Sequence, residues 1–351
     1  MRYDINKPVK VAVFCYYIDM QKVALIQVIY NSREFIPKVF PPALAQSHKN
    51  TEFYVVVAGN QDKGKEYIQE HFPEVKIIDP GYNIGFAQGH NELFATIEAD
   101  FFQLVNPDLI MTETFVADML KPFADPLVGA VSGKILRYDF ATDKPTTQID
   151  STGVIISKSG RGRDRGQHEE DRGQYDTDVN IIGTSGAGAM YRKSALDDIK
   201  YKSKDNTIEY FDLDFHSYWE DVDLSWRMIN RGWKIQYNPM ALAFHGRAAS
   251  SSPGGYKKVL AFIKHHRSIK PQVRQLNYKN HILMFIKNSP KWYWQFFARE
   301  LFYNIFVLIF ETSTLKILPT VFRQLPAMFR KRKYIKQNRK ISIAELEELM
   351  H

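Results

Sequence analysis

The stretch Phe101-Phe102-Gln103-Leu104-Val105-Asn106-Pro107-Asp108 is a near-continuous apolar run that stops abruptly at an Asn-Pro-Asp turn. A run this short and this apolar suits a strand buried on both faces. Upstream, Lys22–Tyr30 is a β-rich run closing on Asn31-Ser32, Phe53–Val57 is another buried strand, and Val75–Ile78 a third. A helical stretch reaching about Ser47, a helix over Lys63–His71 and a helix over Gln88–Ala99 separate them. Pro41-Pro42 should kink or break the first of these. Strands and helices alternating at this spacing predict an α/β sheet with parallel strands, in which ligands sit beyond the carboxyl ends. Val9–Tyr17 reads as an additional strand ahead of the series.

Past Asp108 the pattern is mixed. Ser159–Tyr175 (SGRGRDRGQHEEDRGQY) is rich in glycine and charge and reads as a mobile loop, and Gly183–Met190 (GTSGAGAM) is small enough for backbone to approach a ligand. A helix is expected from about Trp219 to Arg231, with Val222, Trp226 and Ile229 on one face, followed by a strand over Lys234–Tyr237. Three groups fall at strand or helix ends. Asn106 and Asp108 can aim oxygens at one hard cation, although Asn-Pro-Asp is also a common loop starter. In Trp219-Glu220-Asp221-Val222-Asp223 a carboxylate can act as a general base, while Asp223 is explained by pairing with Arg227. His245, in Ala-Phe-His-Gly-Arg, gains interest only from its company.

The 351 residues carry 47 Lys+Arg against 39 Asp+Glu, a formal charge of +8, unevenly spread. From Gly254 to Lys340 there are 19 Lys+Arg and two acids, Glu300 and Glu311, a net of +17 that leaves −9 for the rest. A composition 44% hydrophobic and 25% charged excludes a disordered chain and a polytopic membrane protein. One cysteine, Cys15, excludes a disulfide scaffold and a cysteine-built zinc site. With no signal-like opening, the expected compartment is a reducing cytosol. The basic tail should meet an anion, and its aromatic and aliphatic run from Trp292 to Phe310 favours lipid over nucleic acid. Its most apolar run, the ten residues Leu301–Phe310, is broken by Asn304 and falls short of the roughly 20 a spanning helix needs, so it should lie in the interface, beside the cluster Arg330-Lys331-Arg332-Lys333. A helical appendage packed on the body or a second subunit is the compatible alternative.

Taken together, Val28-Ile29-Tyr30-Asn31, Asn83-Ile84-Gly85-Phe86-Ala87-Gln88-Gly89-His90-Asn91, Asn106-Pro107-Asp108 and Trp219-Glu220-Asp221-Val222-Asp223-Leu224 closely resemble glycosyltransferase family 2. Their order and spacing look like its bacterial rhamnosyltransferase branch. The likeness runs from about Lys22 to His245, and more loosely through the tail from Lys279-Asn280-His281. It implies a GT-A (Rossmann-like) fold with a mixed sheet flanked by helices over residues 1–250, with 1–21 an extra N-terminal segment, and a helical membrane-associating extension over 251–351.

The resemblance also implies inverting transfer from a nucleotide diphosphate sugar, best read as dTDP-β-L-rhamnose, to a hydroxyl of a lipid-linked or polysaccharide acceptor. Tyr30, Asn31, Asn83 and Gly85, with Phe86 and Asn91 of the same motif, match positions around the nucleotide sugar. Asn106 and Asp108 match a metal motif with Asn in place of its first Asp, His245 completes the shell, and the ion is Mg²⁺ or Mn²⁺. Asp221 matches the base, while Trp219, Glu220, Ser185 and Gly186 would face the acceptor. Ala58 stands where many members have a nucleobase-contacting Asp, so Asn60 or Asp62 is the expected substitute. The implied setting is cell wall polysaccharide synthesis on the cytoplasmic face of the membrane, as a peripheral protein or homodimer, with no nucleic acid partner. Alternatives are a UDP-hexose or UDP-galactofuranose donor, or a non-catalytic sugar-nucleotide or glycan-binding subunit.

Overall fold

A computed structural model describes residues 20–202, 207–246 and 269–350. Cys15, the segment Val9–Tyr17 and the boundary expected at residue 250 lie outside the described residues. Among the described residues thirteen strands follow one another: β1 (Val23–Tyr30), β2 (Thr51–Gly59), β3 (Lys76–Ile78), β4 (Phe101–Leu104), β5 (Leu109–Met111), β6 (Val128–Asp139), β7 (Lys144–Ser151), β8 (Val154–Ile156), β9 (Gly162–Asp164), β10 (Met190–Arg192), β11 (Tyr201–Lys202), β12 (Ile208–Glu209) and β13 (Lys234–His245). Nine form one sheet in the order β3-β2-β1-β4-β10-β6-β13-β5, with β7 added to β6. The first four strands of that order are parallel, whereas β10 runs antiparallel to both neighbours and β13 returns parallel to β6. This is the mixed, GT-A-like sheet flanked by helices.

The parallel half forms for the reason its sequence suggests. Val23, Ala24, Leu25 and Ile26 are all fully buried, because helices cover both faces. The helix Ile36–Leu44 runs through Pro41 and Pro42, contrary to the expected break. It buries Ile36, Val39, Phe40 and Ala43, with the Phe40 ring 4.9 Å from that of Phe53. At about 1.5–3 kcal/mol per large apolar side chain, that face outweighs two missing backbone bonds worth about 1 kcal/mol each.

Two further expectations change. The segment Ser159–Tyr175 has fixed partners: β9 pairs with β8, and buried Arg165 donates to Thr152 Oγ1 and Asp178 while lying 5.1 Å from the rings of Tyr175 and Tyr237. The extension is helical, over Pro271–Asn288, Trp294–Phe310, Leu318–Gln337 and Ile343–Glu348, but much of its charge faces the body rather than an outside anion. Lys287 lies fully buried between Asp212 (2.5 Å) and Asp223 (2.8 Å), and Lys331 reaches Asp212 (2.5 Å) and Asp214 (3.0 Å). Outward, the Trp294–Phe310 helix exposes Trp294, Phe297, Leu301, Phe302, Ile305, Leu308 and Ile309, one stripe at helical spacing. Among the described residues no single helix is long and apolar enough to cross a membrane; only this helix taken with Thr312–Gln337, bent by 113°, passes on length and composition.

Candidate active site

The carboxyl ends of β1 and β2 build the first wall. Tyr30 is exposed and its ring lies over Gly59, where a Cβ would come within 2.6 Å of Cδ2. Asn31, at φ 49°, accepts a hydrogen bond from the Gln61 amide at 2.9 Å. Asp62 accepts from the backbone of Arg33 (2.7 Å) and Gly64 (3.0 Å), tying the two loops together. Asn60 accepts from the Lys65 amide at 2.8 Å and donates to Glu66. Both side chains offered as substitutes for the missing nucleobase carboxylate therefore hold loop backbone. Asp62 also lines, with Asn31, Arg33 and Glu34, a cavity of about 510 Å³. Asn83 accepts from the Gly85 amide at 3.0 Å, and Gly85 takes φ 75° as the chain turns into the helix Phe86–Thr96.

Asn91 is not part of this wall. Its buried amide donates to Phe211 O at 2.8 Å and accepts from the Tyr210 and Phe211 amides at 3.2 and 2.7 Å. It is buried and clamps the backbone of Tyr210 and Phe211. Phe86 packs on His90 (4.1 Å) and Phe211 (5.8 Å).

The Asn-Pro-Asp turn is positioned from below by Gln27, a fully buried amide in β1 that donates to Asn106 O at 3.1 Å. His245 is the last residue of β13, not a residue beyond a shorter strand, and its Nε2 lies 3.0 Å from Asp108 Oδ1 and 3.4 Å from Asn106 Nδ2. Its Nδ1 lies 2.9 Å from Asp150 Oδ2. A carboxylate only accepts, so Nδ1 carries a proton toward Asp150, and Nε2 facing Asp108 needs a second proton or a cation. Burial disfavours the charged ring, and the Asp108 and Asp150 carboxylates outweigh it, raising the imidazole to about 9.

A separation of 3.0 Å is also what two neighbouring ligands of an octahedral ion bonded at about 2.1 Å would show. Asp150 then orients the histidine from behind, as outer-shell carboxylates do. Among the described residues no three His, Cys, Asp or Glu side chains converge as a closed cage. The donor set thus fits an open site with Asp108 and His245 as protein ligands and diphosphate oxygens as the rest.

Asp221 sits in the first turn of the helix Glu220–Asn230. Its Oδ2 accepts from the Gly186 amide at 2.7 Å and its Oδ1 from the Val222 amide at 2.8 Å. A Cβ at Gly186 would stand 3.0 Å from Oδ2, so glycine lets the backbone come this close. Burial raises the Asp221 carboxyl, against the two amides and with help from Asp164 of β9; Glu220 is raised by burial and by Asp221 beside it. The next residue after Gly186, Ala187, accepts from the Asn106 amide at 3.0 Å. Gly186–Ala187 therefore hands one backbone group to the base candidate and one to the Asn-Pro-Asp turn. Ser185 is mostly buried beside it, and the Trp219 ring lies against Gly162, where a Cβ would come within 2.8 Å.

Sequence reading missed Gln27, Asp150, Asp164 and His216. His216 packs on Gly85, its Cε1 3.0 Å from where a Cβ would be, and it shares with Tyr218 and Trp219 a left-handed backbone (φ 65°, 70° and 73°). Such residues cost about 1–3 kcal/mol each and persist only where the surroundings impose them. The one signal available was a polar Gln inside an otherwise apolar strand, at Gln27.

Residues 25–200 match the family model described as Glycosyl transferase family 2. The chain is similar to poly-beta-1,6-N-acetyl-D-glucosamine synthase of Staphylococcus aureus (strain COL), 23% identical over 247 residues, which is 70% of this chain and 53% of that protein. It is also similar to pre-mycofactocin glycosyltransferase of Mycobacterium tuberculosis (strain CDC 1551 / Oshkosh), 26% identical over 172 residues, 49% of this chain and 32% of that one. It thus spans about half the length, or less, of these curated relatives. Among solved structures, the mannosyltransferase PcManGT from Pyrobaculum calidifontis in complex with GDP-Man and Mn²⁺ superposes with a TM-score of 0.47 at 14% identity, covering 91% of this chain and 82% of that one. TarS of S. aureus gives 0.44 at 15% identity, covering 77% and 44%.

Proposed function

The chain belongs to glycosyl transferase family 2, and from that premise we propose that it transfers a sugar from a nucleotide diphosphate to an acceptor hydroxyl with inversion at the anomeric carbon. The observation that carries this reading is the Gly186–Ala187 segment, which fixes the Asp221 carboxylate and the Asn106–Asp108 turn relative to each other. Asp221 takes the proton of the attacking hydroxyl. Its raised affinity for a proton, caused by burial, makes it a stronger base than an exposed aspartate. Asp108 and His245, with Asn106 adjacent, would hold Mg²⁺ or Mn²⁺, which supplies Lewis-acid neutralisation of the leaving diphosphate. Tyr30, Asn31, Asn83 and Gly85 shape the donor wall, while Trp219, Glu220 and Ser185–Gly186 face the acceptor. One base and one displacement need no enzyme nucleophile.

The donor is best read as dTDP-β-L-rhamnose, with UDP-hexose or UDP-galactofuranose as the alternative. Hydrolysis of a panel of dTDP-, UDP- and GDP-sugars in Mg²⁺ decides between them: one donor should stand out, and no hydrolysis of any would favour a binding subunit. Full activity in excess EDTA would remove the metal. The acceptor is read as a lipid-linked or polysaccharide glycan at the cytoplasmic face of a membrane. Exposed Arg323, Arg330, Lys333 and Lys336 follow the apolar stripe of the Trp294–Phe310 helix, the chemistry of an anionic interface. The protein should float with anionic but not neutral liposomes, and binding to duplex DNA instead, at physiological salt, would reverse that part of the reading.

A further inference from the structure

One face of the Pro271–Asn288 helix is polar and packs on the body, half-buried at Asn277 and buried from Asn280 onward. Asn277, Asn280, Lys287 and Asn288 recur along it at intervals of three, seven and one, and all four meet the segment Asp212–Asp223, which carries Asp221. Asn277 Oδ1 accepts from the Trp219 indole at 3.1 Å. Asn280 Nδ2 lies within donating distance of three carbonyls, Phe215 (3.0 Å), Ser217 (2.8 Å) and Tyr218 (2.8 Å). Lys287 pairs with Asp212 and Asp223, and Asn288 donates to Asp223 at 2.6 Å, so the two ends of the segment are tied to one helix.

Between those ends lie the left-handed residues His216, Tyr218 and Trp219. Carbonyls two and three residues apart point at one amide only because the backbone curls there. The curl sends His216 to the donor turn at Gly85 and delivers Trp219 and Asp221 to the other side.

We propose that Asn280 is a positioning residue for catalysis: its amide holds the 215–219 curl, so that the C-terminal extension sets the placement of Asp221 as well as any docking of the protein. This rests on the reading of Asp221 as base. The donor turn has its own internal support, the Asn83–Gly85 hydrogen bond, so loosening the curl should displace the base and spare the donor.

The test uses the full chain and the nucleotide sugar that the wild type hydrolyses fastest. Asn280→Ala should lower kcat for hydrolysis about 10²-fold, the size expected of an ångström-scale misplacement, with KM within about threefold. The control is Asn230→Ala, which cuts a body-to-extension contact (Arg339 Nε to Asn230 Oδ1, 2.8 Å) at the far end of the same catalytic helix. It should lower the melting temperature and leave kcat unchanged. A kcat within threefold of wild type in Asn280→Ala, or an equal fall in both variants, overturns the proposal. Should Asn280→Ala fail to fold, Asn280→Gln, which keeps the amide but displaces it by a methylene, is judged by the same thresholds; failure of both to fold also overturns it. Asp221→Asn is measured alongside: full hydrolysis there sinks the base reading, whereas an inactive Asp221→Asn beside a normal Asn280→Ala sinks only the positioning role.

Discussion

The proposed donor wall and the proposed base wall are held by different means. On the donor side the ties are local: Asn83 holds Gly85, Asn60 holds Lys65, and Asp62 holds Gly64 while reaching across to Arg33. On the base side the segment Asp212–Asp223 is held by side chains that come more than sixty residues later, Asn280, Lys287 and Asn288. Local ties form wherever their few residues are, whereas remote ones exist only after the extension has docked. Catalysis should therefore depend on the extension more steeply than donor binding does.

The comparison breaks most visibly at Asp221. Asp221→Asn should lose about 10³-fold in transfer, within the range of general-base effects, and keep its nucleotide-sugar affinity by calorimetry. In the wild type, hydrolysis should fall as pH drops, since the base must be ionised. Because burial raises the Asp221 carboxyl, that acid limb should lie above the ordinary aspartate value of about 3.9. A limb at or below that value would assign the base elsewhere. Next in size, Lys287→Ala leaves Asp212 and Asp223 buried with less charge compensation and should cost about 3–5 kcal/mol in denaturant unfolding. The smallest effect belongs to the donor side: Asn60→Ala loses the bond to the Lys65 amide and should cost about 1 kcal/mol. Equal costs at Lys287 and Asn60 would erase the distinction.

The parallel half was legible because β1, β2 and β4 are apolar runs whose burial needs nothing beyond the helices next to them in sequence. β6 was not legible. Gly129, Ser132, Gly133 and Lys134 interrupt its apolar pattern, and the reason lies in its neighbours: a Cβ at Gly133 would stand 2.6 Å from Ala241 O of β13. Ser159–Tyr175 reads as a mobile loop, yet Arg165 is buried among two tyrosine rings and Asp178. Asp108 and Asp221 are singled out by the family motifs they sit in, His245 only by the resemblance at its position, and the expected pairing of Asp223 with Arg227 is present at 2.9 Å. Asn91, in the same motif as Gly85, turned out to clamp Phe211, because motif membership says nothing about which side of a helix a residue occupies.

The charge asymmetry of the chain was plain from composition, and so was the helical, aromatic character of its last hundred residues. The alternating strands and the Asn106-Pro107-Asp108 turn were legible along the sequence as well, since these depend on contacts a few residues apart. Which cations of the tail face inward was settled by folding: Lys287 and Lys331 neutralise Asp212, Asp214 and Asp223, while Arg323, Arg330 and Lys333 stay at the surface. Folding also paired His245 with both Asp108 and Asp150, and brought Asn280 to the carbonyls ahead of Asp221. Hydrophobic periodicity records which residues avoid water, but a buried polar residue avoids it only once its partner has arrived, and here those partners lie sixty to more than a hundred residues away.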